Sequence, residues 1–351
     1  MTLSISSRLA VWLLAIGLLF AVLGQPVWAQ APVPTPPVPP SAHHRTSAPA
    51  PKIRLITKKN AVLLGVVEGL TEFLPISSTG HLLLTQRLMH ITSTEGAKDQ
   101  DKQETALNAY TTIIQFGAIL AILLLYFGRI REVFAGFFGK NPKGLRLGLN
   151  LIYAFLPAAV IGYPVEKLLQ HYLFNAWGIW PTVIAWGVGG IAILVVSALQ
   201  RARLQAVATD AETSAAVQSV GVDELTPKQA FTIGLMQCIA MWPGVSRSLA
   251  TIFGGLVAGM SMAAAVEFSF LLGFVTLTAA TIFELRHFSV IHHYLGSSSP
   301  VIGIIFAGIA AFVAVKWMVS YLNKHGLEIF GYYRVVLAIA TVALVVMNVL
   351  K

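Results

Sequence analysis

Glu68 and Glu72 stand four residues apart in an otherwise apolar stretch, Asn60 to His90. On a helix that spacing puts both carboxyls on one face, one turn apart. Close carboxylates share a proton or bind a cation. Hard oxygen donors suit Mg²⁺ or Ca²⁺, above all when phosphate oxygens complete the shell. After Pro75 come Ser77, Ser78, Thr79, Gly80 and His81, then apolar Leu82 to Leu84. Hydroxyls before an apolar helix are an N-cap signature. A helix start also presents free N–H groups and a positive dipole end, which attract anions. His81 in that first turn suits proton transfer.

A second stretch, Gln229 to Gly259, contains Pro243, Gly244, Ser246, Arg247 and Ser248. The Arg247 guanidinium is a planar fork that grips phosphate at two points. Structural alternatives stand beside these readings. The carboxyls and hydroxyls could cap broken backbone, His81 could be a hydrogen-bonded core residue, and Arg247 could pair with Glu68 or Glu72. Taken together, two Glu, one His, one Arg, several hydroxyls and two helix starts fit phosphoryl transfer on a lipid.

The elements that must position these groups are membrane helices. Of 351 residues, 56% are hydrophobic and 11% charged, against roughly 25% charged in soluble domains. Mean hydropathy is +0.73. This excludes a soluble enzyme and a disordered chain. The net charge of +9 is uneven, because residues 1–60 hold six Lys/Arg and no acid. The basic balance therefore does not indicate a nucleic-acid binder. The single cysteine, Cys238, excludes an intrachain disulfide.

Arg8, the apolar run Leu9–Leu23 and Val27-Trp28-Ala29 read as a signal peptide or signal anchor over 1–29. Residues 30–58 form a Pro-rich exported spacer. The membrane-embedded domain is expected over 59–351, all-α, with six spans: Thr105–Gly128, Leu147–Val165, Ala176–Gln200, Phe268–Phe283, Pro300–Val315 and Val335–Leu350. The two Pro/Gly-broken stretches are expected as re-entrant helix-loop-helix hairpins, since irregular backbone at membrane depth must line protein or a cavity. They match at an offset of 169: Glu68 falls on Gln237, Pro75 on Gly244, Ser77 on Ser246, Thr79 on Ser248. Each precedes three spans, an odd number, so the copies (about 59–200 and about 228–351) form an inverted-topology repeat. Arg129, Arg131, Lys140, Lys143, Arg146, Arg201, Arg203 and Lys228 mark cytoplasmic loops. Lys52, Arg54, Lys58 and Lys59 argue against that orientation. Glu267 reads as structural, and Arg334 as a positive-inside anchor.

Gly65–His81 (GVVEGLTEFLPISSTGH) and Trp242–Thr251 (WPGVSRSLAT) resemble the two signature motifs of the bacterial undecaprenyl-diphosphate phosphatases of the bacitracin-resistance type. Glu267–Leu272 (EFSFLL) resembles a third family segment. The resemblance covers about residues 58–351. It implies an integral hydrolase of the bacterial plasma (inner) membrane. The enzyme removes the terminal phosphate of undecaprenyl diphosphate and returns the lipid carrier to cell-wall synthesis. It implies dependence on a divalent cation, Mg²⁺ or Ca²⁺, and a site opening to the periplasmic side. It also implies bacitracin resistance, because bacitracin competes for the lipid. The family's acidic motif falls on Glu68 and Glu72. Its hydroxyl runs fall on Ser77 to His81 and Ser246 to Ser248, with Thr251 one turn beyond.

On that basis Ser78 is the expected nucleophile, with Glu72 or His81 accepting its proton and His81 later acting as acid. Arg247 holds the phosphoryl group. Ser77, Thr79, Ser246, Ser248 and Thr251 are the expected phosphate-binding residues, and Glu68 and Glu72 the metal ligands. Direct water attack stays open beside a phosphoserine. The expected partners are the polyprenyl diphosphate, the bilayer and bacitracin, with no nucleic acid and a homo-oligomer left open. The competing readings are a lipid-phosphate transporter built on the same repeat and, ranked last, an intramembrane serine protease.

Overall fold

The computed structural model of the chain describes residues 55–93, 99–169, 177–209 and 219–350, with the side chains of 163–169 and 203–209 left aside. The signal segment and nearly all of the Pro-rich spacer lie outside the described residues. Those residues form twelve α-helices and no β-strand, with one isolated bridge between Val220 and Met260.

The first pair is α1 (Lys58–Thr71) and α2 (Ser78–Leu88). Then come α3 (Gln100–Leu125), α4 (Phe127–Phe137), α5 (Pro142–Leu169) and α6 (Trp180–Thr209). The second pair is α7 (Pro227–Cys238) and α8 (Arg247–Val257). It is followed by α9 (Met262–Glu284), α10 (Phe288–Leu295), α11 (Ser298–Leu322) and α12 (Glu328–Val346). Among the described residues, six segments are long and apolar enough to cross a membrane: α3, α5 over 142–162, α6 over 180–202, the stretch 262–295, α11 and α12. They correspond one for one to the six expected spans.

Two differences have simple causes. The first span ends at Tyr126, and the expected loop after it is largely helical, as α4. The reason is close packing on α5. A Cβ on Gly136 would lie 2.1 Å from Leu145 N, and one on Gly144 1.9 Å from Glu132 O. Arg129 then draws three carboxylates together: Glu132 at 3.0 Å, Asp223 at 3.1 Å and Glu267 at 2.7 Å. Glu267 is thus a structural partner, as expected. These carboxylates hold the Arg129 guanidinium above its ordinary pKa range.

The two broken pairs are built alike. Thr57 caps α1, its Oγ1 accepting from Asn60 N at 3.2 Å, and Thr226, 169 residues on, caps α7 by accepting from Gln229 N at 3.3 Å. Lys58, Ser78 and Leu88 correspond at that offset to Pro227, Arg247 and Val257, three of the four bounds of the second pair; α7 ends at Cys238, two residues before the counterpart of Thr71. α1 packs on α11 and α7 on α5, while α3 packs on α9 and α6 on α12. Both close packings need glycine. A Cβ on Gly65 would lie 2.5 Å from Gly303 O, and one on Gly234, its equivalent, 2.3 Å from Ala154 O.

Candidate active site

Both helix breaks end on a serine in a backbone conformation that L-residues seldom adopt. Ser77 has φ 73° and Ser246 φ 78°. Such residues persist only where the surroundings over-determine them, and they cluster at functional sites. Each serine is the N-cap of the following helix. Ser77 Oγ accepts from Gly80 N at 3.4 Å, and Ser246 Oγ from Leu249 N at 3.3 Å. The turn delivers Ser78 and Arg247 to the first positions of α2 and α8.

These two residues meet at Glu72, which terminates α1. Arg247 Nη2 donates to Glu72 Oε1 at 2.7 Å, and Ser78 Oγ donates to Oε2. The carboxylate is thereby shared between a hydroxyl of the first break and a cation of the second. Arg247 also donates from Nη1 to Thr276 Oγ1 at 3.2 Å, and its guanidinium carbon lies 5.8 Å from the Phe73 ring centre. Glu68, one turn earlier and fully buried, faces Glu72 and the Arg247 charge. Neither of its oxygens has a hydrogen-bond partner.

Further bonds close the junction. Ser248 Oγ donates to Leu74 O at 2.9 Å, spanning the two breaks. Ser246 and Ser248 hydroxyls are 3.0 Å apart. Thr251 Oγ1 donates to Arg247 O at 2.9 Å and lies 2.6 Å from Ser269 Oγ on α9. Thr79 is exposed, with no side-chain hydrogen bond shown to the others. The structure therefore gathers Glu68, Glu72, Ser77, Ser78, Ser246, Arg247 and Ser248. It turns Thr251 to α9 and leaves Thr79 at the surface.

His81 Nδ1 lies 2.7 Å from Ser77 O, and Nε2 lies 2.8 Å from Tyr333 Oη. A carbonyl only accepts, so Nδ1 carries the proton of the neutral ring and Nε2 accepts from tyrosine. The ring stacks on Tyr333 at 5.7 Å and 10° and lies 5.4 Å from Trp186. Of the two bases expected for Ser78, the hydrogen bond goes to Glu72.

Arg334 was expected as a membrane-surface anchor, and the structure corrects this. It is 0% exposed and donates to five carbonyls: Pro75 (3.2 Å), Gly244 (3.0 Å), Val245 (3.2 Å), Ala185 (2.7 Å) and Trp186 (3.5 Å). Pro75 belongs to the first break, Gly244 and Val245 to the second. Breaks in a helix free carbonyls that water cannot reach here, and one guanidinium satisfies both sets. Tyr333 was not foreseen either. Its adjacency to an arginine inside an apolar span was the available signal for both.

The family model described as "Bacitracin resistance protein BacA" matches residues 61–340. The curated "Undecaprenyl-diphosphatase" of Sorangium cellulosum is 39% identical over 280 residues, 79% of this chain and 83% of that one. "Undecaprenyl-diphosphatase 2" of Rhodospirillum rubrum is 37% identical over 289 residues, 82% and 95% of the two chains. The "Undecaprenyl-diphosphatase" of Clostridium novyi is 36% identical over 296 residues, 83% and 96%. The matched span takes in both helix breaks and all six long apolar helices up to the last turns of α12, and on that extent the chain belongs to the bacitracin resistance protein BacA family.

Proposed function

We infer that this protein hydrolyses undecaprenyl diphosphate to undecaprenyl phosphate and inorganic phosphate, the activity for which its relatives are named. The carrying observation is the Ser78–Glu72–Arg247 chain. A serine hydroxyl already donating to a carboxylate is an activated nucleophile in waiting. A guanidinium on the same carboxylate is a ready phosphate ligand, and a dianionic phosphate arriving at Arg247 competes for it. Glu72, released from that ion pair, takes the Ser78 proton. Ser78 Oγ attacks the terminal phosphorus, the anhydride P–O bond breaks, and undecaprenyl phosphate departs. Water then cleaves the Ser78–phosphate bond and restores the hydroxyl. Arg247 and the N–H groups at the start of α8 hold the developing charge. Ser77 and Ser246 shape the turns, while Ser248 and Thr251 brace α8.

Glu68 and Glu72 suit Mg²⁺ or Ca²⁺. The two unpartnered, buried Glu68 oxygens beside a second carboxylate are the observation in favour, and hard cations take oxygen donors. A bound cation supplies charge neutralisation at the transferring phosphoryl group.

The setting is the bacterial plasma membrane, with the two broken pairs as re-entrant hairpins of an inverted repeat. The three coinciding helix bounds, the paired Thr caps and the exchange of packing partners between α1–α11 and α7–α5 support this. The basic residues around α4 favour a cytoplasmic position for that end, so the site opens to the exported side. An apolar cavity of about 380 Å³ beside the second break, lined by Ala185, Val188, Ala192, Trp242, Leu249 and Phe253, suits the isoprene units next to the diphosphate. Cell-wall carrier recycling and resistance to bacitracin follow from the reaction.

The experiment is phosphate release from undecaprenyl diphosphate in detergent, with Mg²⁺, Ca²⁺ or EDTA, for wild type, Glu72→Gln and Arg247→Ala. Cation-dependent release, lost in both variants, is the expected result. No release from folded wild type across several metals overturns the reading.

A further inference from the structure

Among the described residues, only two side chains have both terminal polar atoms buried and without a hydrogen-bond partner: Glu68 and Gln237. Glu68 is absorbed by the site above. Gln237 is 4% exposed and has no assigned role.

The two occupy equivalent places. Gln237 follows Glu68 by 169 residues and lies in the last turn of α7, as Glu68 lies near the end of α1. Each stands three residues after the glycine that presses its helix onto a partner backbone, Gly65 on α11 and Gly234 on α5. Each therefore emerges from the same flank of its helix, directly before a break. The two breaks are joined by the Glu72–Arg247 ion pair and the Ser248–Leu74 hydrogen bond, so Glu68 and Gln237 hold equivalent positions in the helices that lead into the joined breaks.

A buried carboxamide without partners is strongly unfavourable, and native structures rarely retain one without a reason. The chemistry at the two places also differs. A carboxylate only accepts, whereas a carboxamide brings two N–H donors. Donors are what an anionic substrate lacks on the Glu68 side.

We propose that Gln237 is a substrate-binding residue, its carboxamide N–H donating to a phosphate oxygen of the bound diphosphate. The proposal rests on the phosphatase reading above. Glu68 and Gln237 then divide the labour: one repeat contributes the acceptor that takes a cation, the other the donor that takes the anion. Substrate supplies the partner that the resting protein withholds.

The test is Gln237→Met, close in volume and without polar atoms, with Gln237→Glu as the near-isosteric variant that keeps acceptors and loses donors. Three quantities are measured: unfolding temperature in detergent, KM and kcat for undecaprenyl diphosphate, and thermal protection by methylenediphosphonate with Mg²⁺. Removing an unsatisfied buried group leaves stability unchanged or raised. Gln237→Met is therefore expected to unfold no earlier than wild type. Its kcat/KM should fall roughly ten- to a hundredfold, the range for one hydrogen bond to a charged oxygen. Protection by the diphosphonate should shrink in both variants. Wild-type kcat/KM in Gln237→Met overturns the proposal. So does a variant that unfolds early while its folded fraction keeps the wild-type KM, which marks a purely structural group. Failure of wild type itself to release phosphate would instead overturn the phosphatase reading.

Discussion

Arg247 Nη2 lies 2.7 Å from Glu72 Oε1 across 175 residues of chain, and it joins the two helix breaks. Glu72 is buried and Arg247 partly buried, and Glu72 also accepts from Ser78. One contact thus pins two irregular segments together, and on the proposed mechanism it also holds the base beside its nucleophile.

Breaking this pair on one side leaves a charge stranded. Arg247→Gln is expected to destabilise by about 3–5 kcal/mol. Glu72→Gln/Arg247→Gln is expected to recover much of that stability and none of the activity. Phosphate release should fall by at least about 10²-fold in every variant. Unfolding in detergent beside turnover checks the divergence; a double variant no more stable than Arg247→Gln would count against a strong pair.

Ser78→Ala separates the two routes to hydrolysis. With Ser78 as nucleophile, turnover should drop by about 10³-fold or more, and rapid acid quench of wild type should trap phosphate on Ser78. Substantial turnover by Ser78→Ala would point to direct water attack.

Arg334 donates to three carbonyls of the helix breaks, Pro75, Gly244 and Val245, and to two carbonyls of α6. Arg334→Met strands them and is expected to destabilise by more than about 3 kcal/mol. Arg334→Lys should rescue little, because an ammonium has three donors and no planar fork. The readouts are unfolding temperature and protease cleavage at the 72–77 and 239–246 segments.

The positive φ at Ser77 and Ser246 makes a graded prediction. Glycine relieves the strain and loses the cap, a change within about 0.5 kcal/mol. Valine keeps the strain, adds β-branching and loses the cap, and should cost about 2–3 kcal/mol. Matching series at the two positions would support the equivalence of the breaks.

Gly65→Ala and Gly234→Ala place a methyl 2.5 Å and 2.3 Å from a neighbouring carbonyl oxygen. The helices must separate. The net loss is about 1–2 kcal/mol each, after alanine's better helix propensity of about 1 kcal/mol is set against the overlap. Similar losses at both sites, by unfolding in detergent, would confirm the paired packing.

The sequence by itself determined the six apolar helices, the two broken pairs and nearly all the residues at their junction. Hydrocarbon demands long charge-free helices, and Pro, Gly and charge inside such stretches stand out against that background. The match between the two broken stretches was legible for the same reason, through Glu68, Pro75, Ser77 and Thr79 and their counterparts. Tertiary structure decided what the residue types leave open. Ser78 bonds Glu72 and not His81, because the turn at Ser77 and the carbonyl of that residue fix the imidazole toward Tyr333. Thr79 faces outward and Thr251 reaches Ser269, because rotation about the helix axis settles which hydroxyls point inward. Arg334 is the clearest case. A lone arginine in an apolar span reads as an anchor at the membrane surface. Only the folded chain brings it to the carbonyls that two distant helix breaks leave unsatisfied, because satisfaction of backbone groups is a property of the whole packing and not of any one segment.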